Sequence, residues 1–330
     1  MSIEARLEIE RGRPELAGFD EYYSTRIAPA MAAREGEQRK ARAWAVWTCS
    51  IGLVATGILV WSLRSHYHFG EWLKSDSDEG PGGAVFVTIV FVAIWLAVAF
   101  WRLCALRSSV KVFLLKEVSG FFGFEYDEHP RNHGLDEFSG ARLVPSYNEA
   151  TVDDHFSGRH AEVDFEFFEC FLKKDQGDND FKEVYHGLLF RFSFPKAFSG
   201  QTVVLRDQGR MRNFLKGWKH DGERIELEDP RFEKHFEVWG TDPIEARYLL
   251  TPTFMERVVE LAGAFGSSKF ELCFRNNRLL LSVPVTKDQF EAGGMFADVR
   301  SKKRVEVLVK EITRLFDIVN TLKLNLKTAV

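Results

Sequence analysis

Two runs without a charged side chain, Ala43–Leu63 and Ala84–Trp101, stand close together near the beginning of this chain. At about 1.5 Å per helical residue they reach roughly 31 and 27 Å, close to the hydrocarbon thickness of a bilayer. A surface helix of a soluble protein keeps a polar face toward water, and these runs have none. Trp44, Trp47, Trp61 and Trp101 sit near their ends, where an amphipathic ring favours the headgroup boundary. The reading is a two-helix transmembrane hairpin carrying a large soluble body. The competing one is a buried hairpin of a soluble protein.

Basic residues close to the spans set their orientation. Arg26, Arg34, Arg39, Lys40 and Arg42 precede the first run, and Arg102, Arg107, Lys111 and Lys116 follow the second. Between them lie only Arg64 and Lys74, against Glu71, Asp76, Asp78 and Glu79. Both termini are therefore expected in the cytoplasm. The first run follows a long polar segment and exceeds a signal peptide's apolar core, so a cleaved leader is not expected. Neither run holds a carboxylate, lysine or arginine, which suits an anchor better than an ion path. Gly52 and Gly57 are expected to let the two helices pack together or against a partner.

The expected organisation follows. An N-terminal cytoplasmic helical segment covers 1–42, and spans cover 43–63 and 84–101 around a short external loop at 64–83. A juxtamembrane helix and linker cover 102–150, and a cytoplasmic α+β domain covers 151–330. About 230 residues beyond the spans suffice for one sizeable domain or two small ones. The net charge of −4 gives no sign of nucleic-acid binding, and none is expected. Thirty Phe supply material for a core. Cys49, Cys104, Cys170 and Cys273 have neither zinc-type nor CxxC spacing, so buried reduced thiols are expected.

Phe19, Tyr22, Tyr23, Ile27 and Met31 recur at helical spacing, with Pro29 expected to bend or interrupt the run. Asp127–Asn148, with Pro130 and Pro145, reads as irregular chain. The period then changes to two. Val163, Phe165 and Phe167 alternate with Glu162, Asp164 and Glu166, and the apolar phase slips to Phe168, Cys170 and Leu172, which reads as a β-bulge. A second strand runs from Val184 to Phe194, with shorter ones near Thr202–Leu205, Arg224–Leu227 and Phe236–Trp239. Asp242-Pro243-Ile244-Glu245 has the form of a capping box, and Thr251-Pro252 opens a further helix bearing Phe254, Val258, Leu261 and Phe265. A hairpin turning at Asn276-Asn277 follows. Val305, Leu308, Val309, Ile312, Leu315, Phe316, Val319 and Leu322 mark a closing amphipathic helix. The fold class is α+β: a mainly antiparallel sheet domain closed by a C-terminal helix, with a pleckstrin-homology-like barrel as one arrangement. Phe-Ser-Gly occurs at 138–140, 156–158 and 198–200 and is read as three similar turns.

The run from Phe232 through Phe236, Asp242-Pro-Ile-Glu245, Arg247-Tyr248 and Thr251-Pro252 to Arg257 resembles the signature of a bacterial family catalogued as domain of unknown function 3137. Phe198-Ser-Gly200-Gln-Thr202 and the paired spans fit as well. The resemblance implies an inner-membrane protein without an assigned activity. It also implies a membrane-protein partner of LemA type, since some members are encoded near such proteins. It supplies no catalytic residue.

Candidate contact residues fall in two groups. Asp242, Glu245, Arg247 and Tyr248 lie at a helix N-terminus, where exposed amides favour anions. The structural alternative has Asp242 and Glu245 capping, Arg247 pairing with a carboxylate and Tyr248 packing. Arg206, Arg210, Arg212, Lys216 and Lys219, with Trp218 among them, form a basic stretch suited to anionic lipid headgroups or to a protein. His66 and His68, His129 and His133, and His155 and His160 read as ordinary surface histidines, the last pair at a turn with Asp153 and Asp154. Glu162, Asp164 and Glu166 read as the wet face of a strand. Nucleophile-elbow, phosphate-loop, dinucleotide and metalloprotease patterns are missing, so no catalytic residue, cofactor or metal is expected. The leading reading is a non-enzymatic, membrane-anchored cytoplasmic binding or scaffold module. The alternatives are a membrane-tethered enzyme with an unrecognised site and an accessory subunit of a membrane complex.

Overall fold

The computed structural model describes residues 13–66, 82–131, 133–177, 180–206, 222–264, 270–291, 298–322 and 324. The described residues form two compact units. One holds the chain up to Leu114 together with 298–306; the other holds Leu115 to Glu291 together with the residues from Val307.

The first unit opens with a 3-10 turn at Pro14–Leu16 and a short helix α1 (Phe19–Tyr22). Pro29 has no N–H, and its ring would press on the carbonyl four residues back. The chain answers with a widened π turn over Tyr23–Ile27, in which the Ala28 N–H donates to Tyr23 O. Helix α2 (Ala28–His66) then runs on without a break, and the next helix among the described residues is α3 (Gly82–Phe122). Both are long and apolar enough to cross a membrane by length and composition. They touch through specific groups. Trp95 Nε1 donates to Thr48 O at 2.6 Å and Trp44 Nε1 to Val98 O at 3.3 Å. Gly52 lies against the Trp95 ring, where any Cβ would collide, whereas Gly57 meets nothing within 4 Å. The two helices thus pack together at Gly52, while Gly57 lies outside that contact. Trp47, Leu53 and Trp61 remain 70–77% exposed.

The second unit is built on one sheet. Its strands are β1 (Glu125–Asp127), β2 (Glu149–His160), β3 (Val163–Asp175), β4 (Phe181–Ser193), β5 (Thr202–Arg206), β6 (Glu223–Ile225), β7 (Phe236–Gly240), β8 (Glu271–Arg275) and β9 (Arg278–Pro284). Its helices are α4 (Leu135–Gly140), α5 (Pro230–Glu233), α6 (Pro243–Leu249), α7 (Pro252–Ala264) and α8 (Lys302–Leu322), the first turn of α8 belonging to the other unit. Every ladder is antiparallel, in the order β1-β2-β3-β4-β9-β8-β5-β7-β6. The α+β class is as read. The order is open, since β1 and β6 do not pair among the described residues, and so departs from a closed barrel.

Sequence chemistry explains most boundaries. Asn276 and Asn277 adopt φ of +53° and +57°, the geometry of a two-residue hairpin, between β8 and β9. Asp229-Pro230 and Asp242-Pro243 open α5 and α6 with side-chain caps, and the Thr251 hydroxyl accepts from Phe254 N at α7. The apolar stripe read along α8 is buried throughout.

The expected bulge in β3 is corrected. No slip occurs at Phe167, because β3 buries both faces: Phe165 and Phe167 on one, Phe168, Cys170 and Leu172 on the other. The bulge lies instead on β2, where Asp154 and His155 stand opposite Phe168 alone and Asp154 takes φ of +52°. Asp153 and Asp154 are therefore inside a strand, and the turn expected there is not formed. The three Phe-Ser-Gly segments also differ: one ends α4, one lies within β2, and one is a loop before β5.

Each face of the sheet has its own cover. Phe168, Cys170, Leu172, Leu189, Val203, Cys273 and Leu280 pack with Leu135, Phe138, Leu143 and Val144, so the stretch read as irregular carries a short helix sunk in a core. On the opposite face, Phe167 stacks on Phe156 at 4.5 Å and Phe290 lies 5.8 Å from it. Phe316 of α8 meets Phe122 edge-on at 5.1 Å and Phe124 at 5.7 Å.

Candidate functional site

The loop before β5 and the start of α6 form one structure. Asp242 Oδ1 accepts from Ile244 N at 2.8 Å and Glu245 N at 3.1 Å, as a helix cap does. Glu245 does not close a capping box on its own helix. Its carboxylate instead accepts from Ser199 N at 2.8 Å and Gly200 N at 2.7 Å. Thr241 Oγ1 accepts from Gln201 N at 2.9 Å. Three successive amides thus point at side chains of the segment around Asp242, a concave anion cradle of the kind that binds phosphates. Here Glu245 fills it. A Cβ on Gly200 would lie 2.5 Å from Glu245 Oε2 and 2.8 Å from Thr241 Oγ1, which is why glycine stands there. Asn277 Oδ1 accepts from Phe198 N at 2.9 Å and fixes the other side of the loop.

The remaining residues of the segment face outward. Arg247 donates to Pro243 O at 3.3 Å and to Glu226 O at 3.5 Å; the carboxylate expected as its partner is replaced by backbone carbonyls. Tyr248 is 41% exposed and carries Lys196 Nζ 4.2 Å from its ring centroid. The same ammonium donates to Tyr248 O at 2.8 Å, and burial moves the Lys196 pKa down. Ile244, one turn earlier on α6, is 80% exposed. Arg206 lies at the end of β5, paired with Phe236. Arg210, Arg212, Lys216, Trp218 and Lys219 lie outside the described residues.

A second polar group joins α4 to the sheet. Arg191 bonds Glu166, and its other nitrogen lies 3.3 Å from Glu137, which also accepts from Arg278 at 2.9 Å. Glu166 therefore belongs to an ion network, whereas exposed Asp164 pairs with exposed Arg159 at 3.5 Å. His155, with Nε2 at 3.6 Å, and the Arg191 guanidinium hold the Glu166 carboxyl down to about 2. A depressed carboxyl contributes stability that is present above its unfolded value, about 4.5, and is lost as pH falls through the folded value. Melting between pH 6 and 2 should therefore show a stability loss below pH 4.5. Glu166→Gln should weaken the protein at pH 6 and flatten that acid limb; an unchanged limb would contradict the role.

The Cys170 and Cys273 thiols are buried in strands and pushed up to about 12 by burial, which keeps them protonated and unreactive. His133 is drawn into α4, accepting from Leu135 N at 3.2 Å, with its pKa lowered by burial. Sequence reading missed the group formed by Glu169, His186 and Asp288. The alternation of β3 and β4 places Glu169 and His186 on one face, but Asp288 joins them only through the fold.

Among the described residues, a nine-stranded antiparallel sheet with helices on both faces, preceded by two helices long and apolar enough to cross a membrane, defines an α+β protein. Residues 183–324 match the family model described as protein of unknown function (DUF3137), and over this stretch the chain is similar to that family. The match begins after the first residues on which the resemblance was read and continues through α8. No curated protein matches the chain. Among solved structures it resembles the mycobacterial trehalose monomycolate transport factor A, TtfA, at 12% identity and a TM-score of 0.33, covering 65% of this chain and 97% of that one. A likeness of that strength carries no functional weight.

Proposed function

We propose that this protein is a membrane-anchored binding or scaffold module, held in a bacterial inner membrane by α2 and α3 with its sheet unit in the cytoplasm. The observation that carries the proposal is the exposure of Trp47, Leu53, Ile58, Trp61, Phe86 and Ile89 on the charge-free runs within α2 and α3, a surface that water would penalise and lipid would not. The helices are pinned to each other through Trp95 and Gly52, as an anchor requires. The basic flanks of the two apolar runs support the inward orientation.

The conspicuous motif supports binding rather than catalysis. Its acidic residues are spent on backbone amides, and what it turns outward is Ile244 and the Tyr248–Lys196 stack. That face suits a protein partner, with aromatic and apolar groups beside a cation. The basic sequence from Arg206 to Lys219 suits anionic headgroups, each cation near such a surface adding about 1 kcal/mol. Alkaline extraction of expressing membranes tests the anchor: the chain should stay in the pellet and leave it with detergent. Recovery in the alkaline supernatant would end this reading.

A further inference from the structure

We propose that Glu169, His186 and Asp288 form a site for a divalent transition metal of zinc type, tying β3 and β4 to the segment that follows β9. The three donors come from three separate parts of the fold, and their ligand atoms all lie within 4.8 Å of one another. Glu169 is 2% exposed, the His186 side chain 8%, and Asp288 faces solvent. The site therefore has two fixed inner donors and one outer donor through which an ion can enter.

The inner donors are held from behind. Gln289 N donates to both Glu169 oxygens, at 2.9 and 3.1 Å, which fixes the carboxylate and brings neighbouring Asp288 to the site. The His186 ring stacks on Phe171 at 4.1 Å and 22°, which sets the direction of its nitrogens. Such outer contacts are what orient the ligands of a metal centre. His186 Nε2 and Glu169 Oε1 lie 2.7 Å apart, within hydrogen-bond distance along the line that a metal would bridge. Metal binding takes the place of that contact: the neutral imidazole, its one ring proton on Nδ1, gives the Nε2 lone pair to the ion and Glu169 gives a carboxylate oxygen, while a second ring proton, where the imidazole carries one, leaves to water.

The donor chemistry selects the ion. Two carboxylates and a neutral imidazole carry two negative charges, matching a divalent cation. An imidazole nitrogen with carboxylate oxygens suits zinc, whereas calcium takes an all-oxygen shell. Zinc donors stand about 3.3 Å apart around a tetrahedron with bonds near 2.0 Å. Asp288, the exposed member, supplies the remaining closure, and water completes the coordination.

The test uses the full chain in detergent, stripped of metal and titrated with Zn2+ against a chromophoric chelator, with Co2+ as a spectroscopic probe. One equivalent should bind, and Co2+ should give the visible bands of a four-coordinate site. Asp288→Asn, at an exposed position, should retain the wild-type melting curve without metal yet weaken binding about tenfold or more. His186→Gln should abolish it. His129→Asn, which alters an exposed histidine paired with Asp153, should leave binding unchanged. No saturable binding by the wild-type chain, or equal binding by Asp288→Asn, overturns the proposal.

Discussion

Phe167→Ala should lower the unfolding free energy of the sheet unit by about 3–5 kcal/mol, the usual range for a buried phenylalanine replaced by alanine. Phe167 is 1% exposed and lies on the face of β3 that α8 covers. Its ring stacks on Phe156 at 4.5 Å, with Phe190 at 5.3 Å and Phe290 at 5.8 Å. The neighbours cannot close the hole cheaply. Phe190 is held in β4, and Phe290 sits at a backbone φ of +57° with its N–H bonded to Glu311 Oε2 at 2.7 Å. The space already beside Phe167, lined by Leu188, Phe190, Phe290 and Leu315, holds only about 10 Å³. An alanine would turn a well-filled site into a true cavity. Denaturant unfolding of the detergent-solubilised chain checks this, and a loss below about 1 kcal/mol would mean that α8 does not pack on this face.

The second large effect belongs to the motif. Glu245→Ala should destabilise by about 2–3 kcal/mol, because two amides bonded to a charged acceptor lose it together. The estimate stays below the sum of two such bonds because the site is only half-buried and water reaches the loop. Glu245→Gln should recover little of the loss, since its NH2 group would face an amide that needs an acceptor. Gly200→Ala should cost less in a Glu245→Ala background than in the wild type, because its Cβ collides with the carboxylate that the first change removes. Unfolding curves for the double-mutant cycle decide the point. Additive losses would contradict the clamp.

That clamp shows where sequence reading ran out. Asp242 and Glu245 were legible as acidic residues at a helix start, and Phe198-Ser-Gly200 as a turn. Nothing in either segment says that the carboxylate of one fills the amide cradle of the other. Local chemistry was legible where a residue satisfies its own neighbours: Asn276-Asn277 at the hairpin, the cap-plus-proline pairs, the α8 stripe. It failed where the backbone departs from its period. β2 was missed because the extra residue at Asp154 puts Val152 and Phe156 out of simple alternation. β3 read as slipped because both of its faces are buried, which periodicity alone cannot distinguish from a bulge. The six residues of α4 are too few to reveal a period, although Leu135 and Phe138 anchor one cover of the sheet. Glu169, His186 and Asp288 escaped for a plainer reason: distant chain segments supply one site.

The account rests on the two apolar helices crossing a bilayer with the sheet unit inside, and labelling of introduced cysteines tests it most directly. In a Cys104→Ser background, Asp76→Cys lies between the apolar runs and Lys310→Cys on an exposed position of α8. A membrane-impermeant maleimide added to intact spheroplasts should modify the first, and the second only after permeabilisation. Modification of Lys310→Cys in unbroken spheroplasts, or protection of Asp76→Cys, would contradict the account.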